Sequence, residues 1–138
     1  PGNKKNVKID DLTASYDLFP TILDFAGIKK NEDTDGMSLM PRLKGQSKIE
    51  REDIFWHFPH YHGSLWKPGS AIRSGDWKLV LHYESNNSEL FNLMEDPKES
   101  NDLSLLFNER KQILLKKLNK LKNQTNAKEV SINPNFKN

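Results

Sequence analysis

Ala71-Ile-Arg-Ser-Gly-Asp-Trp-Lys-Leu-Val-Leu-His-Tyr83 is the stretch that decides the fold. In its second half Trp77, Leu79, Leu81 and Tyr83 alternate with Lys78, Val80 and His82. This period of two sends one set of side chains to each face of a strand. Gly75-Asp76 suits a two-residue type II′ connection, with Gly where positive φ is needed. The whole therefore reads as a hairpin with one strongly apolar face. A small bare sheet is marginal in water, so that face requires a cover.

Moving outward, Ser85-Asn-Asn-Ser88 makes a second turn into Glu89-Leu-Phe-Asn-Leu93, a strand returning beside 77–83. Upstream, Ile54-Phe-Trp-His-Phe58 reads as an aromatic-rich strand stopped by Pro59, and 59–69 as an irregular loop. The result is an antiparallel meander of three or four strands. Its cover follows a turn at Asp96-Pro97: a long helix from about Leu103 or Asn108 to about Asn123. Phe107, Leu114, Leu118 and Leu121 form its apolar stripe, flanked by Leu106 and Ile113. Arg110, Lys111, Lys116, Lys117, Lys120 and Lys122 occupy its other faces.

Before the sheet, QSKIERED (46–53) is a charged connector and the expected internal boundary. Residues 1–12 are polar, with Val7, Ile9 and Leu12 as anchors of one short extended segment. Asp17 is a good N-cap, Pro20 falls in a first helical turn where its missing N–H costs nothing, and Gly27 supplies a left-handed stop. Leu18, Ile22, Phe25 and Ala26 recur between them at helical spacing. A short, mostly buried helix is expected there. After a polar loop, Ser38 can cap a brief helix, LMPRLK, which Gly45 ends. Sheet and helices are segregated along the chain, so the fold class is α+β.

The 138 residues give room for one domain and not comfortably for two. A net charge of +2 argues against a dedicated nucleic-acid binder. The absence of cysteine excludes disulfides, Cys-based zinc sites and a Cys nucleophile. No run approaches the ~18 apolar residues of a membrane span. Pro1-Gly2, without an initiator Met, reads as a processed end or a piece of a longer polypeptide, the latter being the expectation.

Chemistry concentrates in His57-Phe-Pro-His60-Tyr-His62. Three imidazoles so close can bind a metal, contact a ligand, or serve structure at an aromatic edge. No neighbouring carboxylate or Cys completes a zinc shell, so no metal site is expected. Glu32, Asp33 and Asp35 lack the regular ligand spacing of a calcium loop. Arg73 with Gly75-Asp76 and Lys78 could clamp an anion, but a hairpin carrying ordinary solvated charges is the favoured reading. Trp56, Trp66 and Trp77 could stack on a sugar; the strand positions of Trp56 and Trp77 point instead to the core. Gly-x-Ser-x-Gly, the P-loop and His-Glu-x-x-His are all absent, so no catalytic residue is assigned.

Five segments in series resemble the C-terminal region of type I (arylsulfatase-like) sulfatases. Tyr16-Asp-Leu-Phe-Pro-Thr-Ile-Leu-Asp-Phe-Ala-Gly-Ile28 is similar to the family's Asp-Leu-x-Pro-Thr-Leu-Leu-x-Leu-Ala-Gly helix. Asp35-Gly-Met-Ser-Leu39 with Leu43-Lys-Gly45 is similar to the segment that follows it. Ala71–Leu79 resembles its Ala-x-Arg-x-Gly-x-Tyr/Trp-Lys-Leu hairpin. Glu89–Leu93, Asp96-Pro97, Glu99 and Asn101-Asp-Leu103 resemble its Glu-Leu-Tyr-Asn-Leu…Asp-Pro-x-Glu…Asn-Leu signature. Asn133-Pro-Asn-Phe136 resembles a common ending. Trp56-His-Phe-Pro-His-Tyr61 is similar to a segment of the bacterial polysaccharide and glycosaminoglycan branch.

The resemblance implies that residues 1–46 end a catalytic α/β domain and that 47–138 form a C-terminal subdomain of antiparallel sheet plus helix. It implies sulfate-ester hydrolysis on sulfated carbohydrate, with this region walling the substrate cleft through His60 first, then His62 and His57. A formylglycine nucleophile and calcium are implied for the parent enzyme and not for this chain, which lacks the Cys/Ser-x-Pro-x-Arg motif. The implied partners are the remainder of the catalytic domain and a sulfated glycan, with no nucleic acid and no membrane span. A periplasmic or extracellular setting is implied too. The alternative is a non-enzymatic module that binds sugar or a protein through the aromatic loop at 55–67. Polyanion binding by the lysine-rich helix is a third reading, and it predicts steep salt dependence.

Overall fold

A computed structural model describes residues 8–29, 34–63 and 65–131. Readings that rest on Pro1-Gly2, Val7, Glu32, Asp33 or Asn133–Phe136 lie outside those residues. The chain forms two compact units, Pro1–Glu52 and Asp53–Asn138.

The second unit holds the expected meander, with four strands: β1 (Asp53–Phe58), β2 (Gly69–Ser74), β3 (Trp77–His82) and β4 (Asn87–Asn92). All neighbours are antiparallel in the order β1-β2-β3-β4. Gly75, at φ 58°, makes the β2–β3 turn as its sequence requires. The following turn comes two residues earlier than the Ser85–Ser88 reading: residues 83–86 turn, Asn86 takes φ 49°, and β4 begins at Asn87. Asn tolerates the left-handed region, which is why the reversal settles there.

Phe55, Ile72, Leu79 and Leu90 lie in one register row across the sheet. Against them packs α3 (Asn108–Gln124), which buries Leu114 and Leu118 with Leu115 and Leu121 alongside. The expected flank of Leu106 and Ile113 is displaced: both are exposed, and Leu115 takes that place. The helix starts at Asn108, so Leu106 precedes it and does not share its period. Phe107 instead packs on Trp77, ring centroids 5.3 Å apart, with the Arg110 guanidinium over the same indole.

The stretch between β4 and α3 is fixed by three carboxylates. Asp96 accepts from the amides of Ser100 and Asn101 at 2.7 and 2.8 Å. Glu99 takes the Lys78 ammonium on both oxygens at 2.6 Å. Asp102 accepts from the amides of Leu90 and Ser104, while Leu103 N–H donates to the Leu90 carbonyl. Leu103 and Asp102 thereby satisfy part of the outer edge of β4, a common place for stray pairing. Burial works against the ionised form of Asp102, yet those amides hold its carboxyl below the ordinary value.

In the first unit a 3-10 turn (Ser15–Asp17) runs into α1 (Leu18–Phe25), and α2 (Met40–Leu43) follows. Residues 8–14 carry neither helix nor strand, and the first seven residues of the extended segment expected over 1–12 lie outside the described residues. Both helices end in the predicted left-handed glycine. Gly27 N–H donates to Asp24 C=O and Ile28 N–H to Leu23 C=O; Gly45 and Gln46 repeat the pattern on Arg42 and Pro41. These are Schellman closures. Ser38 Oγ accepts from Met40 N–H at 3.2 Å, one residue before the helix boundary.

Asp17 does not cap α1. Its carboxylate turns back to the Ala14 amide at 2.8 Å, takes the Met37 amide at 2.9 Å, and meets both Arg51 nitrogens at 2.6 Å. A side chain with no exposed surface and a bidentate guanidinium partner is better satisfied this way than by a first-turn amide. Around this hub residues 36–39 dock onto α1. Gly36 lies so close to Tyr16 that a Cβ would stand 2.2 Å from its carbonyl oxygen. Ser38 Oγ–H donates to Asp24, and Leu39 N–H to Thr21 Oγ1.

The expectation of a mostly buried α1 is not met within this chain. Pro20 is buried, but Leu18, Phe19, Ile22 and Phe25 are exposed, Ile22 by 64%. The stripe has the period of a core-facing helix with no layer upon it among the described residues.

Candidate functional site

Two strand faces come from one register. The helix-covered face carries positions 53, 55 and 57 of β1; the other carries 54, 56 and 58, and is open at Trp56 and Phe58 while Ile54 is buried. On the open face Trp56 lies in one register row with Ala71 and Val80, and Phe58 in one with Gly69 and His82. A concavity of about 460 Å³ opens there, lined by Trp56, Phe58, His62, Trp66, Gly69 and Lys78.

The structure does not bring the three histidines together. His60 and His62 stand edge-on to the Phe58 ring, centroids 5.8 and 6.2 Å away, with Trp66 at 6.5 Å. His57 points through the other face. Its Nδ1 lies 2.8 Å from Ser70 Oγ and 2.9 Å from Tyr83 Oη, and its Nε2 lies 2.7 Å from the Lys128 carbonyl.

The loop bearing His60 and His62 is held by its own chemistry. His62 N–H donates to Trp66 C=O, Leu65 N–H to His62 C=O, and Tyr83 N–H to Pro68 C=O. Glu84 bridges the loop's two arms, accepting from Tyr61 Oη–H at 2.6 Å and pairing with Lys67 Nζ at 2.8 Å. Lys67 foremost, then Tyr61, holds the Glu84 carboxyl below its ordinary value; bonded to Glu84, Lys67 and Tyr61 are both pushed up.

Trp56 departs from expectation: at 51% exposure it is a wall of the concavity and not core, while Trp77 is packed as expected. Arg73 sits opposite Lys78 on the open face and donates from Nε to the Gly75 carbonyl at 3.1 Å. The Glu84 bridge and the Ser70–Tyr83 pair around His57 had no local sequence signal, because each joins segments more than ten residues apart. Chemically the open face offers indole and phenyl planes for the C–H face of a ring, with imidazoles and ammonium groups beside them. The formylglycine and calcium implied by the resemblance find no fit. The sequence has no Cys/Ser-x-Pro-x-Arg, and among the described residues no group of three or more His, Asp or Glu could hold a metal. No described helix is long and apolar enough to cross a membrane.

Residues 1–128 match the family described as N-sulphoglucosamine sulphohydrolase, C-terminal. The chain is 27% identical over 130 residues to human arylsulfatase K, covering 89% of this chain and 24% of that protein. It is 31% identical over 110 residues to a Delta 4,5-hexuronate-2-O-sulfatase of Bacteroides thetaiotaomicron, covering 75% and 22%. The fold is shared with the solved structure of a 2-O GAG sulfatase at a TM-score of 0.72 and 26% identity, over 97% of this chain and 31% of that one. The chain thus spans about a quarter of the length of the curated relatives it matches.

Proposed function

Because the chain belongs to the N-sulphoglucosamine sulphohydrolase C-terminal family, we propose that it serves a sulfatase that hydrolyses sulfate esters of carbohydrate. In that role the first unit completes the end of a catalytic α/β domain, and the second walls the substrate cleft. The exposed Leu18, Phe19, Ile22 and Phe25 stripe supports the first part, since a face of that size and period needs a layer supplied from elsewhere. The 2-O-sulfatases among its relatives make a 2-O-sulfated uronic acid residue the first substrate class to assay.

The observation that carries the cleft role is the pair of imidazoles, His60 and His62, seated on Phe58 beside an aromatic concavity. Loops on a rigid sheet commonly carry recognition. These imidazoles hydrogen-bond sugar hydroxyls or an anionic substituent, His60 first, and leave bond cleavage to residues outside this chain. His57 acts behind them.

In the complete enzyme, His60→Ala is expected to raise KM for the natural glycan more than KM for a small aryl sulfate. Equal effects on both substrates make His60 merely structural. Purified alone, the 138-residue chain is expected to hydrolyse neither substrate.

A further inference from the structure

Both ring nitrogens of His57 are bonded, and one of the bonds reaches 71 residues along the chain to Lys128. A carbonyl oxygen only accepts, so the contact with Lys128 places the ring proton on Nε2. With a single ring proton, Nδ1 is an acceptor facing the Ser70 and Tyr83 hydroxyls, which also touch each other. One hydroxyl donates to Nδ1 and the other donates to the first, which satisfies every atom of the trio and locks one tautomer.

The partner carbonyl lies on a short tail folded back after α3. Asn126, at φ 51°, reverses the chain, and Ala127 N–H donates to Lys122 C=O. Glu129 then pairs at 3.0 Å with the ammonium of Lys122, a lysine only 5% exposed that lies over the Tyr83 ring at 5.1 Å. Burial opposes the charge on Lys122, but Glu129 and Tyr83 favour it and its pKa stands above the ordinary value. The tail is therefore fastened at consecutive residues, 128 to His57 and 129 to Lys122. The residue after His57 is Phe58, the ring on which His60, His62 and Trp66 pack from the opposite face.

We propose that His57 is a positioning residue: a latch through which the tail after α3 holds the end of β1, and with it the His60–His62 loop. The inference rests on the cleft role proposed above only for its effect on substrate; the latch itself can be read without any.

The test is amide hydrogen exchange on the 138-residue chain. His57→Leu is expected to speed exchange at Ala127, His62 and Leu65 by about tenfold or more, relative to the sheet amides of Ile72 and Leu79. His57→Gln, which keeps a donor for the Lys128 carbonyl, is expected to restore most of that protection. A chain ending at Ala127 removes the acceptor without touching His57, and its His62 and Leu65 amides are expected to loosen equally. Faster exchange at Ala127 alone overturns the proposal, as does no change at any of the three. If His57→Leu does not fold, the shortened chain decides; global loss of protection there as well makes the tail part of the core and also overturns it. In the complete enzyme, His57→Leu is expected to raise KM for the glycan more than KM for a small aryl sulfate. A positive exchange result with no change in KM keeps the latch and sinks the cleft role instead.

Discussion

Arg51→Ala is expected to destabilise the first unit by about 3–5 kcal/mol, the usual result of stranding one member of a buried ion pair. The Asp17 carboxylate would keep its amide bonds to Ala14 and Met37 but lose both charge-assisted bonds at 2.6 Å, in a site without solvent. Arg51→Lys is expected to recover only part of the loss, because one ammonium nitrogen replaces the two guanidinium nitrogens that each meet an oxygen of their own. Protease susceptibility of residues 8–52 measures the change, and the sheet of the second unit provides the internal control. Unchanged susceptibility would remove Asp17 from the centre of this unit.

The same pair gives a pH signature. The Arg51 hydrogen bonds above all, with the Met37 and Ala14 amides, bring the Asp17 carboxyl from 3.8 to about 2 against the opposing effect of burial. A folded value below the unfolded one means stability that is complete above the unfolded pKa and lost as pH falls through the folded one. The first unit is expected to lose roughly 2 kcal/mol between about pH 5 and pH 2. Asp17→Asn should flatten this dependence while lowering stability at neutral pH.

The second large effect lies under the helix. Leu118→Ala is expected to cost the second unit about 2–5 kcal/mol, since Leu118 is fully buried among Ile72, Leu79, Leu90 and Leu114. Leu106→Ala, on a residue 77% exposed, is expected to change stability by less than about 0.5 kcal/mol. Denaturant midpoints for the two variants test the assignment, and equal midpoints would mean that α3 is not the cover of the sheet.

The contrast between Leu118 and Leu106 shows what local pattern could reveal. Gly75, Gly27 and Gly45 each did what their lack of a Cβ suggests, and the alternation through Trp77–Leu81 identified the covered face correctly. These signals are local, and local backbone chemistry decides them. The cap reading of Asp17 fails because its preference as a cap competes with a guanidinium 34 residues away, which no local pattern announces. The core reading of Trp56 fails for another reason. In Ile54-Phe-Trp-His-Phe58 both faces carry large apolar side chains, so alternation could not choose between them. His57 was grouped with its neighbours by sequence distance, whereas strand parity sends it through the opposite face.

The order of elements along the second unit also bears on how it forms. Each strand pairs with the next one made, so the meander needs only short loop closures and low contact order favours rapid assembly. Its lid arrives after the sheet: during synthesis Phe55, Ile72, Leu79 and Leu90 are made before the helix that shields them. A nascent chain halted between Asn92 and Asn108 would present a greasy, unprotected sheet, and that interval is where chaperone engagement on the ribosome should peak.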